Sequence, residues 1–365
     1  MKFVIAKNDL MSVIGKLQNV VPTKPTLPIL ANVLVEAINN EIIFTVTDLT
    51  VGMRCYVPAK VIEEGSTTLP ARRFFQLVKE LTTANIEITT NANEITEITA
   101  GSSRFKLNGM RKNDFPGLPD LAGAHQVKVK QSTLKEMLFK TSFAVSREDT
   151  RYVLTGVLLR LEQEGRATFV GTDGKRLAKA EAPVPAAQEG DYIIPLKAVD
   201  EVVKLLTEDQ VATLYFMKDK IAVEANQTIV ITKLLSGDYP NYQRVIPSQC
   251  DINVTLHREE LMTLLRQISL FTPDASHSVK FIFVPGELIL TANSIDIGEG
   301  KVSMPANYGG TQMQVAFNPN FFLDILRHSS DETVNLGLTD GFNPGLVTDS
   351  SGALCVIMPM RLKEE

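Results

Sequence analysis

The pattern of apolar and polar positions along the chain occurs three times. Each copy has a short alternating segment, a polar step, and then apolar residues at helical spacing. The copies are MKFVIAKNDLMSVIGKLQNVV, QVKVKQSTLKEMLFKTSFAVS and DINVTLHREELMTLLRQISLF, beginning at residues 1, 126 and 251. Alternation with a period of two is typical of a strand, and spacing of three and four is typical of a helix. Each copy therefore predicts a strand followed by an amphipathic helix.

The buried positions predicted in the three copies correspond to one another. The strand positions are Phe3 and Ile5, Val127 and Val129, and Ile252 and Val254, and the helix positions are Leu10, Val13, Ile14 and Leu17, then Leu134, Met137 and Leu138, then Leu261, Leu264, Leu265 and Ile268. Asn8 predicts an N-cap for the first helix. Ser132, with Thr133 and Glu136, predicts one for the second. His257 stands at the start of the third helix and is a weaker cap.

A second strand and helix follows half a repeat later in each copy. The segments are TTLPARRFFQLVKEL, YIIPLKAVDEVVKLL and MQVAFNPNFFLDILRHS, with Pro70, Pro195 and Pro319 near the helix starts, where a missing N–H costs least. Strand-rich stretches lie between the helices: EIIFTVTDLTVGMRCYV, RATFVGTDGKRLAKA and ELILTANSIDIGEG. We therefore predict an α+β fold of three repeated domains, residues 1–124, 125–250 and 251–365, each with two helices on antiparallel sheets.

Composition agrees with a multidomain globular protein. The chain has 365 residues, more than one ordinary core accommodates, with 44% hydrophobic and 22% charged residues. It has no apolar run of about eighteen residues and no secretory signal pattern at its start. Three cysteines far apart in sequence and four histidines exclude a disulfide framework and a sequence-encoded zinc site. We expect a soluble, cytoplasmic protein that uses no metal and no cofactor.

The net charge of −5 is unevenly distributed along the chain: +1 over residues 1–124, +1 over 125–250 and −7 over 251–365. Phosphate neutralisation is local, so this total does not exclude nucleic acid as a partner. Basic residues predicted on the outward faces of the helices are Lys7, Lys16, Arg72, Arg73, Lys79, Lys130, Lys135, Lys140, Lys197, Lys204, Arg258, Arg266 and Arg327. Glu80, Glu136 and Glu201 are interspersed, and a merely solvated face is the alternative interpretation.

No enzyme motif occurs in a suitable context, whether a phosphate-binding loop, a GxGxxG, a GxSxG or an HExxH. The most suggestive cluster is TDGKR at residues 172–176, where Asp173 and Lys175 have the residue types of acid–base chemistry. A turn is the favoured interpretation, because Thr47-Asp48 and Ala292-Asn293 stand at nearly the same offset in the other copies. We therefore expect no catalytic residue and no enzymatic activity. A repeat scaffold that binds only proteins remains as an alternative.

Short segments along the whole chain resemble one known family. They are MKF at the start, PTLPIL (25–30), TDL (47–49), PARRFF (70–75), SRF (103–105), DFP (114–116), RYVLTG (151–156), TDGKRLA (172–178), DYPNYQRVIP (238–247) and MPMRL (358–362). In their order and spacing they resemble the bacterial beta sliding clamps, the beta subunits of DNA polymerase III. This resemblance implies a head-to-tail homodimer that forms a six-domain ring around duplex DNA. It also implies a replication processivity factor that does not read DNA sequence.

The resemblance also implies three sets of site residues. The DNA contacts fall on Lys24, Arg72, Tyr152 and Lys197. A pocket for short linear motifs of the replicative polymerase, the clamp loader and repair proteins falls on Arg151, Leu154, Thr172, Gly174, Lys175, Arg176, Leu177, Pro240, Arg244, Val245, Met358, Pro359, Met360 and Arg361. The dimer interface would place Phe105 and Leu107 against Leu270 and Phe271, with Arg104 and Lys106 near Asp296 and Glu299. Lys175 stands where the family commonly has a histidine, and Lys363 to Glu365 extend past the usual end.

Overall fold

The computed structural model describes residues 1–185, 189–207, 210–272 and 277–361, so the extension Lys363 to Glu365 lies outside the described residues. The helices are α1 (Lys7–Leu17), α2 (Ala71–Glu80), α3 (Gln131–Ser142), α4 (Leu196–Leu205), α5 (Arg258–Ser269) and α6 (Pro319–Arg327). Within these described ranges, no helix has both the length and the apolarity that a membrane crossing requires.

The strands occur in groups before and after each helix. In the first third they are β1 (Lys2–Ala6), β2 (Asn32–Ile38), β3 (Glu41–Thr47), β4 (Val51–Pro58), β5 (Lys60–Glu63), β6 (Gly65–Pro70), β7 (Asn85–Thr90), β8 (Ile95–Ala100) and β9 (Ser103–Asn108). The middle third has β10 (His125–Lys130), β11 (Gly156–Glu162), β12 (Arg166–Thr172), β13 (Arg176–Pro183), β14 (Gly190–Pro195), β15 (Val211–Phe216), β16 (Lys220–Ala225) and β17 (Thr228–Lys233). The last third has β18 (Ile252–His257), β19 (Val279–Val284), β20 (Glu287–Ser294), β21 (Gly298–Pro305), β22 (Met313–Phe317), β23 (Thr333–Leu338), β24 (Gly345–Thr348) and β25 (Leu354–Ile357).

The chain divides into two compact units. The first, residues 1–135 with 197–234, holds a five-stranded sheet in the order β5-β1-β7-β8-β9. It also holds an eight-stranded sheet in the order β10-β15-β16-β17-β4-β3-β2-β6. All neighbouring strands in both sheets are antiparallel.

The second unit, residues 136–196 with 235–365, repeats this plan. Its eight-stranded sheet has the order β14-β11-β12-β13-β25-β24-β23-β18, and its four-stranded sheet has the order β21-β20-β19-β22. Each eight-stranded sheet joins strands from two successive repeats, through β17 and β4 in the first unit and through β13 and β25 in the second. The domain boundaries at residues 124 and 250 stay a prediction.

The apolar stripes of the helices are buried as the sequence predicts, except that Leu264 of α5 is only partly buried. Leu10, Val13, Ile14 and Leu17 of α1 are all buried under the sheets of the first unit. In the second unit, Leu261 and Leu265 of α5 are buried beside an aromatic cluster. In that cluster the ring of Phe281 lies 5.3 Å from that of Phe317 and 5.2 Å from that of Phe322. Burial of these apolar side chains is the main force that stabilises each layer of helices on its sheets.

An equivalent backbone hydrogen bond occurs in each of the three predicted strand–helix copies. The N–H groups of the first helical residues, Lys7, Gln131 and Arg258, donate to Ala84, Gln210 and Glu332, each at 2.8 Å. Each acceptor carbonyl directly precedes the strand that follows the second helix of its repeat. The internal repeat in the sequence is therefore also present in the hydrogen bonding.

The side chains of Lys7 and Arg258 differ but serve one purpose. Lys7 donates to the carbonyl oxygens of Lys79 and Leu81 at the end of α2. Arg258 Nη1 donates to the carbonyl oxygen of Leu326 in α6 at 3.3 Å. Each satisfies carbonyl groups that a helix end leaves unpaired.

Two of the predicted helix caps are wrong. α1 begins at Lys7, so Asn8 lies inside the helix, and Ala6 before it makes no side-chain cap. α3 begins at Gln131, which places Ser132 inside it as well. His257, the weaker candidate, caps α5, because its ring accepts the N–H of Glu260 at 3.4 Å.

Three charged residues predicted on outward helix faces lie elsewhere. The side chain of Lys140 is 3% exposed and forms an ion pair with Glu136 at 2.6 Å. Lys130 belongs to strand β10, and Glu201 is buried beside Lys204. A long lysine stem packs against apolar surface while its amine finds a partner, so charge alone does not place a residue outside.

Candidate functional site

The TDGKR segment forms a tight turn between β12 and β13. The Oγ1 of Thr172 accepts the N–H of Gly174 at 3.1 Å and donates to the carbonyl oxygen of Arg176 at 2.6 Å. Asp173 Oδ1 accepts the N–H groups of Lys175 and Arg176 at 2.8 and 3.0 Å. Gly174 has a φ of +84°, a conformation that favours glycine. Asp173 is therefore held as a turn residue, as the sequence predicts.

The first repeat contains the same turn between β3 and β4. Thr47 Oγ1 donates to Val51 at 3.0 Å, and Asp48 Oδ1 accepts the N–H groups of Thr50 and Val51 at 2.9 and 2.7 Å. Leu49, with a φ of +77°, takes the position of the glycine. The predicted third counterpart, Ala292-Asn293, is wrong: both residues lie within β20, where Asn293 pairs with Glu299 of β21.

The TDGKR turn, residues 172–176, forms one wall of a cleft in the second unit. The cleft has a volume of about 140 Å³. Its lining residues are Arg151, Leu154, Thr172, Gly174, Arg176, Leu177, Pro240, Asn241, Tyr242, Val245, Val356 and Met358. Leu154, Leu177 and Val356 are buried and form an apolar floor, whereas Arg151 and Met358 are exposed at the rim. An apolar floor with a few polar groups at its edge suits a short peptide with apolar side chains.

Nine of the fourteen residues predicted for a peptide pocket line this cleft. The five that do not are Lys175, Arg244, Pro359, Met360 and Arg361, of which Lys175, Arg244 and Arg361 are exposed beside it in sequence. Asn241, Tyr242 and Val356 also line the cleft and were not predicted. Asn241 and Tyr242 stand directly after Pro240 within DYPNYQRVIP, one of the segments that carry the family resemblance, so the sequence does contain a signal for them.

Arg176 joins the turn to the third repeat. Its side chain, 10% exposed, donates to Asp324 Oδ2 at 2.7 Å, to the carbonyl oxygen of Phe143 at 2.9 Å and to Asp173 Oδ2 at 3.2 Å. Its guanidinium carbon also lies 4.7 Å from the ring centre of Phe321. A planar guanidinium can satisfy all of these at once, which a lysine amine cannot. Arg176 thus fixes the turn that forms the cleft wall.

Two backbone bonds hold the chain end beside the cleft. The N–H of Met358 donates to the carbonyl oxygen of Lys175 at 2.9 Å, and the N–H of Met360 donates to that of Ala316 at 2.7 Å. Met358, with its flexible thioether side chain, is thereby placed at the rim. Directly before Pro240, the hydroxyl of Tyr239 donates to the carbonyl oxygen of Val170 at 3.3 Å, and burial raises the pKa of this phenol well above its ordinary value.

The four predicted DNA contacts are all exposed. Lys24, Arg72 on α2 and Lys197 on α4 lie in the first unit, and Tyr152 lies in the second. Lys197 forms an ion pair with Asp48. Burial alone would raise the pKa of the Asp48 carboxyl, but Lys197 and the N–H groups of Val51 and Thr50 bring that pKa below its ordinary value.

The predicted dimer residues lie on or near strands at sheet edges. Phe105 and Leu107 belong to β9, the last strand of its sheet, whose residues are almost all exposed. Phe105 is 38% exposed. Leu270 is 71% exposed after the end of α5, and β21 is an edge strand of the four-stranded sheet. Among the described residues, both edges leave one row of backbone groups without a strand partner.

No metal centre accompanies these surfaces in the described part of the chain, where no three side chains of His, Cys, Asp or Glu gather in one place. Cys55 is buried, and its burial raises the pKa of the thiol to about 11, so it remains protonated near neutral pH.

Comparison with known families covers almost the whole chain. The models of the DNA polymerase III beta subunit match in succession: the N-terminal domain over residues 1–119, the central domain over 128–241 and the C-terminal domain over 243–361.

Individual relatives agree with the family models. The chain is 55% identical to the beta sliding clamp of Chlamydia pneumoniae over the full length of both. The DNA polymerase sliding clamp of Bacillus subtilis superimposes with a TM-score of 0.95 at 26% identity, over 100% of each chain. The sliding clamp of Pseudomonas aeruginosa bound to griselimycin has a TM-score of 0.94 at 30% identity, over 99% of this chain and 100% of that one.

Proposed function

The chain belongs to the family of DNA polymerase III beta subunits, the sliding clamps, and from this premise we propose which of its surfaces bind DNA, partner proteins and a second copy of the chain. As a member of this family it is a processivity factor for DNA replication, with three clamp domains, and not an enzyme. We take the domains to be residues 1–124, 125–250 and 251–365. Because its work is done on replicating DNA, the chain acts in the bacterial cytoplasm.

The cleft in the second unit receives short linear motifs of the replicative polymerase, the clamp loader and repair proteins. The observation that carries this assignment is the convergence of the Asp173 turn, the segment after Pro240 and the chain end at Met358 on one apolar floor. A floor of buried leucine and valine takes apolar side chains of a peptide. Arg151 at the rim and exposed backbone groups orient it. Lys175, Arg244, Pro359, Met360 and Arg361 extend the binding surface beyond the cleft itself.

Duplex DNA is held through phosphate contacts alone. Lys24, Arg72 and Lys197 have long, exposed, charged side chains, and Tyr152 offers a hydroxyl. Such groups reach phosphate oxygens directly or through water and carry no information about base sequence. A clamp that moves along any sequence needs contacts of this kind.

Two copies of the chain associate head to tail. The edge strand β9 of one protomer pairs with the edge strand β21 of its partner, which hides both unpaired edges. Phe105 and Leu107 then pack against Leu270 and Phe271 of the other copy, while Arg104 and Lys106 approach Asp296 and Glu299. Each contact joins two different surfaces, one from each copy of the chain. Because a two-fold rotation relates the two copies, the two equivalent contacts close a six-domain ring and do not extend into a filament.

A triple variant, Lys24→Ala, Arg72→Ala and Lys197→Ala, tests the DNA assignment. On a primed template with the polymerase and clamp loader, it should support shorter products and remain on DNA for less time than the unaltered protein. The matched control changes Lys60, Lys128 and Lys218, three exposed lysines outside the proposed contacts, to alanine. If the first triple variant replicates as well as the control, the assignment of these three residues to DNA contacts is wrong.

A further inference from the structure

Lys197, one of the proposed DNA contacts, already has an anionic partner within the chain. Its Nζ forms an ion pair with Oδ2 of Asp48. Lys24 and Arg72 differ in this respect, since no carboxylate of the described residues lies within ion-pairing distance of either. Of these three cations, Lys197 is thus the one whose charge is compensated before any phosphate arrives.

Asp48 is held in place much more firmly than Lys197. Its side chain is 15% exposed, and its other oxygen, Oδ1, accepts the N–H groups of Thr50 and Val51 at 2.9 and 2.7 Å. Lys197 is 46% exposed and is the second residue of α4, so its four-carbon stem is free to turn. If the pair opens, the lysine moves and the carboxylate stays.

The orientation of Asp48 is specific to the first repeat. Asp173 makes the same turn in the second repeat, but its Oδ2 accepts Arg176 Nε from within the turn. The Oδ2 of Asp48 instead reaches a residue 149 positions later in the chain. The backbone of the turn does not require this contact, because Oδ1 alone accepts its two N–H groups. The second oxygen is therefore available for another role.

We propose that Asp48 is an internal competitor of the DNA phosphate for Lys197 and so limits how tightly the clamp holds DNA. The inference rests on the proposed function, in which Lys197 contacts DNA. A phosphate that approaches Lys197 must displace a fixed carboxylate, so the net gain from that contact is small. The lysine exchanges between two anions of similar strength, and each phosphate is released easily as the duplex moves past.

The test is a double-mutant cycle with Asp48→Asn and Lys197→Ala, measured by the affinity for a short fluorescent duplex over a range of salt concentrations. Asparagine keeps an Oδ1 that accepts both turn N–H groups and removes only the charge. Asp191→Asn is the matched control, since it breaks a comparable pair with Arg160, with bonds of 2.7 and 2.6 Å, and neither residue is a proposed DNA contact. If Asp48→Asn does not fold, Asp48→Ser keeps a turn acceptor and replaces it in the cycle.

We expect Asp48→Asn to bind the duplex about fivefold more tightly than the control, a gain that corresponds to the free energy of one exposed ion pair. Its affinity should also fall more steeply as the salt concentration rises. In the Lys197→Ala background the gain should vanish. If Lys197→Ala weakens binding while Asp48→Asn fails to strengthen it, this inference is overturned and the proposed function stands. If Asp48→Asn raises the affinity for DNA equally with and without Lys197, the effect is a general one of charge, and the inference is also overturned. If Lys197→Ala has no effect, the DNA role of Lys197 fails, and the inference fails with it.

Discussion

The backbone N–H of Met358 donates a hydrogen bond of 2.9 Å to the carbonyl oxygen of Lys175. The corresponding bond in the first repeat runs from Lys233 to Thr50, at 3.0 Å. In both repeats a strand supplied by the following repeat continues past the same turn. In the second repeat that continuation is the chain end, so the cleft depends on residues that stand far from one another in the sequence.

Deleting residues 358–365 should therefore abolish binding of a peptide from the polymerase, because Met358 lines the cleft. Size-exclusion chromatography should still give a dimer, since no proposed interface residue is removed. The control is deletion of residues 362–365 alone, which keeps Met358 and should leave the affinity as it was. Peptide affinity that survives the longer deletion would contradict the assignment of the cleft.

Gly174→Ala should reduce both stability and peptide affinity. A Cβ at this position would lie 2.5 Å from Nη1 of Arg151, and the φ of +84° is itself unfavourable for alanine. Gly286→Ala is the matched control, because its φ is +81° and nothing lies within 4 Å of the added carbon. Each variant should lose about 1 kcal/mol of unfolding free energy from the backbone. Only Gly174→Ala should also weaken peptide binding in a titration, and equal binding by both variants would contradict the role of Arg151.

Arg176→Met should lower the free energy of unfolding by about 2 kcal/mol, because it leaves Oδ2 of Asp324 and the partly buried carbonyl group of Phe143 without their donor. Arg166→Met breaks an exposed pair with Glu162 and should cost less than about 1 kcal/mol. Urea denaturation of both variants measures the difference. Similar losses in the two variants would show that Arg176 does not hold the turn to α6.

Phe105→Arg should convert the dimer to monomers, because it places an unpaired charge in the proposed seam. Ile62→Arg is the control: Ile62 is 53% exposed on β5, the opposite edge strand of the same sheet. Analytical ultracentrifugation should find monomers for the first variant and dimers for the second. A dimeric Phe105→Arg protein would place the seam elsewhere.

The ion pair of Asp48 should make a small, pH-dependent contribution to stability. The pKa of this carboxyl is lowered in the folded protein from an ordinary value of 3.8. The contribution is therefore fully present above that value and is lost as the pH falls through the lower, native pKa. Since Lys197 is half-exposed, the contribution is ~1 kcal/mol at most. The stability difference between the unaltered protein and Asp48→Asn should shrink on acidification, and a constant difference would show that Asp48 titrates normally.

The sequence predicts the repeat, the helix stripes and the turns well, because these depend on neighbours along the chain. Thr172 and Asp173 are placed in a turn correctly, since their hydrogen bonds join residues two to four positions apart. Nine of the predicted pocket residues line the cleft because family resemblance carries three-dimensional information that periodicity lacks.

What the sequence did not predict depends on distant contacts. The burial of Lys140 follows from packing in the second unit. The pair between Asp48 and Lys197 joins residues 149 positions apart, so no local pattern indicates it. The joining of successive repeats through β4 with β17 likewise appears only when strands find their partners.

Negative-stain electron microscopy of the purified protein, sorted into class averages, would show directly whether two copies of the chain form a ring. We expect closed rings with a central hole wide enough for duplex DNA. Compact particles without a hole, at a concentration where the dimer forms, would contradict it.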